Sequence, residues 1–181
     1  MTFLRTTMVL LALLALAGLS RLDAQSLQRL SVQGSGAVLF PSGDDPFFES
    51  DTRIGYEGQL RYTFNRLSIG VGYQRSTVYK FSADGVDFSA ALSLGFIEPR
   101  YVVSAGNAAA LYLAGRLGYG TLICSEECNA NDAYLTYGGG GGVLVRLTSR
   151  MALDLGGQYF IANDTFDSGY AMLRVGLGIG L

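Results

Sequence analysis

Seven arginines of this 181-residue chain, Arg29, Arg53, Arg61, Arg100, Arg116, Arg146 and Arg174, stand in stretches where bulky apolar residues alternate with small ones. Four carboxylates, Glu57, Asp87, Glu98 and Asp154, stand in the same stretches and on the same small-residue side. A charge taken out of water is costly unless it is paired. The planar guanidinium fork can hold two carboxylate oxygens at once. Two chemistries are open to such a set: a ladder of Arg–carboxylate bridges that fills a narrow interior, or a positively biased passage for small anions.

Other constellations carry less. Cys124 and Cys128 bracket Ser-Glu-Glu in a polar stretch. In an exported chain two such thiols are expected to pair, closing a loop worth about 2 kcal/mol on the entropic account. A metal held by these thiolates with Glu126 and Glu127 is the competing reading, but the chain has no histidine to complete a usual set. Alkylation of the isolated protein is expected to add mass at both cysteines only after reduction. The absence of histidine also excludes a Ser–His or Asp–His arrangement, and no catalytic residue, cofactor or metal site is expected. The glycine run 138–142 lacks the Gly-Lys-Ser/Thr ending of a phosphate loop. Glycines on a strand more often mark close packing, and Tyr112 is a large neighbour that could lean over them. A net charge of −2 leaves no basic footprint for nucleic acid.

The elements that must position these residues are strands. The stretch 170–181 sets Leu173, Val175, Leu177, Ile179 and Leu181 on one side, with Met172, Arg174, Gly176, Gly178 and Gly180 on the other. Seven earlier stretches repeat the pattern. Among them, Ile54, Tyr56, Leu60, Tyr62 and Phe64 oppose Arg53, Glu57, Gln59, Arg61 and Thr63. Leu111, Leu113, Leu117 and Tyr119 oppose Tyr112, Ala114, Arg116 and Gly118. In the fourth stretch Val86, Phe88, Leu92, Leu94 and Phe96 read as the greasy side, yet Glu98 and Arg100 fall on the same parity. Pro99 stands at the apparent change. A proline in a strand favours an edge or a bulge, so a bulge is predicted near residues 97–99. Connections alternate as well: 65–66, 104–107 and 148–150 are short, whereas 41–52, 79–85, 124–132 and 162–168 are longer and polar. The longer ones carry most of the acidic residues, including Asp44, Asp45, Glu49, Asp51, Asp84, Asp132, Asp164 and Asp167.

This pattern predicts an all-β fold: an eight-stranded, antiparallel, up-and-down barrel standing in lipid. An interior of about eight strands is just wide enough to be filled by side chains. The bulky face is too large for that space, while the Gly, Ala and Ser face with a few long polar residues fits it. Greasy-out, small-in is the transmembrane arrangement, and in lipid only a closed barrel satisfies every strand N–H and C=O. Filling also favours the bridged ladder over the anion passage. Residues 1–24 read as a cleaved signal peptide: Arg5 precedes an apolar run over 8–18, and Leu22-Asp23-Ala24 precede Gln25. The run is shorter than the roughly 20 residues of a spanning helix. The barrel domain is thus residues 25–181.

The mature chain resembles the small outer-membrane β-barrel superfamily, of which the OmpA transmembrane domain and OmpX are members. Its last residues resemble the assembly signal of that class: polar Arg174, then Gly176, then Ile179 and Leu181 at alternate positions. Leu181 departs from the phenylalanine with which the family usually ends. The resemblance implies residence in a bacterial outer membrane, contact with outer-membrane lipid, and recognition by the barrel-assembly machinery. The expected function is non-enzymatic, a structural or surface-interaction protein displaying acidic loops. The alternatives are a narrow anion-biased pore and a soluble, lipocalin-like periplasmic ligand carrier.

Overall fold

The computed structural model describes residues 29–42, 53–76, 79–83, 86–124, 133–163 and 169–181. Nine strand segments follow one another: β1 (Leu30–Ser42), β2 (Arg53–Phe64), β3 (Leu67–Ser76), β4 (Tyr79–Ala83), β5 (Val86–Ala105), β6 (Ala109–Cys124), β7 (Ala133–Arg146), β8 (Met151–Asn163) and β9 (Gly169–Gly180). Every pairing is antiparallel. Each segment from β5 to β9 pairs with the next, β9 pairs with β1, and β1 to β3 continue in order. The ring is closed because β3 pairs with the middle of β5, while β4 pairs with the start of β5. β3 and β4 therefore lie end to end along one long partner, and the nine segments form eight staves. The span 79–85, predicted as loop, thus contributes a strand at Tyr79–Ala83.

Directly opposed residues of an antiparallel pair share a face, so the register assigns every side chain a side. In β2 the burial alternates residue by residue, with Glu57, Gln59 and Arg61 inside and Ile54, Tyr56, Leu60 and Tyr62 outside. Ile54 and Tyr119 each remain 64% exposed. Ile69, Val71, Leu113, Leu117, Leu155, Leu173, Val175 and Ile179 complete an apolar exterior. A strand exterior of this kind is the surface a barrel turns toward hydrocarbon. Asn65 and Arg66 join β2 to β3 directly after the Phe64–Leu67 pair. Asn65 takes φ of 55°, a left-handed conformation that asparagine adopts more readily than most residues.

β5 differs from the sequence reading in two ways. Its register with β3 is unbroken from Tyr101 to Ser93, straight through Pro99, so no change of parity occurs there. On the β6 side the pairing skips Glu98 and Pro99 and resumes in the same register at Arg100, as suits a residue without an N–H. The register shift lies between Val102 and Ser104 instead. In consequence Leu94 and Phe96, predicted to face outward, are buried on the same inward side as Glu98 and Arg100, and Leu92 packs against the interior with them. Glycines on the flanking strands make the room. A Cβ on Gly72 would stand 2.5 Å from the Phe96 ring, and one on Gly118 would stand 2.9 Å from Leu94.

The interior is layered along the barrel axis. Toward the end bearing the longer connections, Ala37, Leu39, Phe160 and Met172 form a buried apolar cluster with Leu92 and Tyr170 packed against it. The Phe160 and Tyr170 rings stack with centroids 4.9 Å apart. The middle is polar and charged. At the end bearing the short turns lies a cavity of about 80 Å³.

Candidate functional site: the charged lumen

Glu98 is the hub. It is fully buried on β5 and receives all four arginines of the polar layer. Its Oε1 accepts from Arg61 at 2.8 Å, from Arg100 at 2.7 Å and from Arg174 at 3.1 Å. Its Oε2 accepts from two nitrogens of Arg116, at 2.8 and 2.5 Å, and from Arg174 at 2.8 Å. Gln158 adds a bond of 3.2 Å to the same oxygen. Two further carboxylates complete the layer. Glu57 meets Arg174 at 3.1 Å and Arg116 at 2.9 Å. Asp154 meets Arg100 at 2.8 Å and also accepts from Tyr112 and Gln33, each at 2.6 Å.

The strands position these groups by bringing inward residues from opposite walls to one level. Glu57 and Arg61 come from β2, Glu98 and Arg100 from β5, Arg116 from β6, Asp154 from β8 and Arg174 from β9. Glycines on intervening walls admit the long side chains. A Cβ on Gly70 would lie 2.7 Å from Arg61, and one on Gly142 or Gly156 would lie 2.5 or 2.6 Å from the Tyr112 hydroxyl. Tyr112 thus does lean over the end of the 138–142 run. Aromatic faces contribute as well: the Arg116 guanidinium sits 3.8 Å from the centre of the Phe96 ring, and that of Arg100 sits 4.6 Å from Tyr112. An arginine over a ring is attracted by the negative face of its π system.

Of the eleven charged residues singled out in the sequence, seven meet in this layer: Glu57, Arg61, Glu98, Arg100, Arg116, Asp154 and Arg174. Arg29 and Arg146 have the inward parity but stand exposed at the short-turn mouth, outside the network. Arg53 is half-buried near the opposite mouth. The side chain of Asp87 lies outside the described residues, as does Cys128, so the expected Cys124–Cys128 pair does too. Residues that sequence reasoning missed are the neutral partners Gln33, Gln74 and Gln158, together with Phe96 and Phe160. In the C-terminal signal, Arg174 and Gly176 face inward and Ile179 and Leu181 outward.

Neither a family model nor a curated protein matches the chain. Solved structures do. Neisserial surface protein A aligns with a TM-score of 0.70 at 20% identity, over 85% of this chain and 98% of that one. Ail of Yersinia pestis, solved with the heparin analogue sucrose octasulfate, aligns at 0.58 and 15% identity, over 83% and 96%. The N-terminal β-barrel domain of Pseudomonas aeruginosa OprF aligns at 0.52 and 14%, over 82% and 96%. At these identities the likeness concerns the fold. That fold, with its apolar exterior, is the small eight-stranded β-barrel of bacterial outer membranes.

Proposed function

We propose that the protein is a non-enzymatic, integral outer-membrane barrel whose filled lumen makes it a rigid support for its acidic loops, in a structural or surface-interaction role. The observation that carries this reading is the filling of the described interior at two successive levels. The Glu98 network spans it at mid-height, and the Phe160–Met172 cluster closes it toward the long-loop end. The longer loops then stand at the cell surface and the short turns in the periplasm, the habit of such barrels. The C-terminal signal serves the assembly machinery, and the N-terminal segment is removed after export, so the mature protein begins at Gln25. Those loops carry aspartate and glutamate in excess, which disfavours a polysulfated partner of the kind bound to Ail and favours a cationic one.

Single-channel recording in planar bilayers tests the filled lumen. Protein purified from outer membranes, its folding confirmed by a heat-sensitive gel shift, is expected to stay silent. Discrete steps with anion preference would instead establish the narrow anion-biased pore. Recovery of the protein in the soluble periplasmic fraction would point to the ligand carrier.

A further inference from the structure

Among the described residues, the buried polar layer carries one positive charge in excess. The buried layer sets four arginines, Arg61, Arg100, Arg116 and Arg174, against three carboxylates, Glu57, Glu98 and Asp154. A net positive charge held away from water calls for a counter-charge close by. On the long-loop side the layer abuts apolar residues, Phe96 and Phe160 among them. On the short-turn side it abuts the cavity of about 80 Å³, whose wall combines charged groups with apolar ones such as Val102 and Leu144.

The wall of that cavity is strongly one-sided. Arg61 and Arg100 form its floor, Arg66 and Arg146 its rim, and Asp154 is the single carboxylate among the lining residues. Asp154 is already committed: Tyr112 donates to one of its oxygens, while Gln33 and Arg100 occupy the other. Arg61 keeps a buried Nε with no hydrogen-bond partner. Ser31, Thr63, Ser68 and Asn107 also line the same space, and the Ser68 hydroxyl accepts from Arg61 at 3.0 Å. The turn between β5 and β6 contributes Asn107 and the small residues Gly106 and Ala108, and the start of β6 adds Ala109 and Ala110. Guanidinium forks match the oxygens of phosphate and carboxylate groups in two-point contacts.

We propose that this vestibule is a binding site for a small oxyanion of the phosphate class, which neutralises the surplus charge and is taken up from the short-turn side. The inference rests on the filled-lumen reading, because a through-pore would pass the anion and not hold it. The two fail separately: conductance reports the pore, and binding reports the site.

The test uses the protein purified in a maltoside detergent, which carries no phosphate. Inorganic phosphate and chloride are titrated at constant ionic strength, and the thermal unfolding midpoint and the Nε–H signals of Arg66 and Arg146 are followed. The expected result is a saturable rise of the midpoint and a shift of both signals with phosphate but not chloride. The Arg66→Gln, Arg146→Gln double variant, changed only at the rim, is expected to weaken that response about tenfold. If the effect appears only after addition of phosphatidylglycerol, and is still weakened in the double variant, the bound phosphate belongs to a lipid headgroup. A midpoint that responds equally to phosphate and chloride overturns the proposal, as does a double variant that responds like the parent.

Discussion

Glu98→Ala is expected to lower the unfolding free energy of the barrel by about 3–5 kcal/mol, the usual cost of removing one partner from a buried ion pair. The physical reason is that a single carboxylate serves four guanidinium groups. Its loss leaves four buried arginines facing two carboxylates, Glu57 and Asp154. Glu57→Ala is expected to cost less, since Glu57 meets only Arg116 and Arg174. Urea titration in lipid vesicles, read by the mobility difference between folded and unfolded bands, measures both. A Glu98→Ala barrel that unfolds within about 1 kcal/mol of the parent would show that water, not Glu98, satisfies the arginines. The size of this effect does not make the network a net source of stability, because a well-packed apolar replacement of a whole buried cluster can be neutral or better.

Gly140→Ala is expected to produce the second large effect. Gly140 opposes Gln158 across the β7–β8 pair. A Cβ there would collide with the carbonyl oxygen of Gly157 and stand 2.7 Å from the Cα of Gln158. Those are backbone atoms, which cannot rotate away as a side chain can. Relief requires the two strands to part locally, with loss of ladder hydrogen bonds. The expected cost is at least the 1–3 kcal/mol typical of overpacking, seen as a lower unfolding midpoint and a smaller folded fraction on assembly. Gly95→Ala is the control, since an added Cβ at that outward site would meet nothing closer than 4.0 Å. Equal behaviour of the two variants would mean that β7 and β8 have slack.

The staves were legible wherever the outer and inner residues differ in kind. β2 and the C-terminal half of β9 are the clear cases, because from Ile54 to Phe64 and from Leu173 to Ile179 every large apolar residue lies outside and every charged one inside. β5 was misread for a physical reason. Apolarity alone marks the outside in the sequence, yet Leu94 and Phe96 are interior residues whose space comes from Gly72 and Gly118 on other strands. That compensation is set by register between segments far apart in the chain, which no local pattern reveals. Phe160 was overlooked for the same reason. Parity also carries no information on depth. Arg29 and Arg146 obey the inward rule and still lie at the mouth, because strand length beyond the lumen was not readable. The role of Glu98 as hub depends on the stagger of the strands, which brings residues of five strands to one height.

The pairing of β1 with β9 extends over twelve residue pairs, from Ser31 with Gly180 to Ser42 with Gly169. The first wall of the barrel is therefore completed only by the last one. Until β9 has arrived, β1 and β8 both present open edges, and open edges invite pairing with foreign strands. No sub-assembly of consecutive hairpins is self-sufficient, because each would expose its backbone to hydrocarbon. Ring closure is the final and longest-range contact, so the chain must travel unfolded until its whole length is delivered, and its time of greatest risk is the journey.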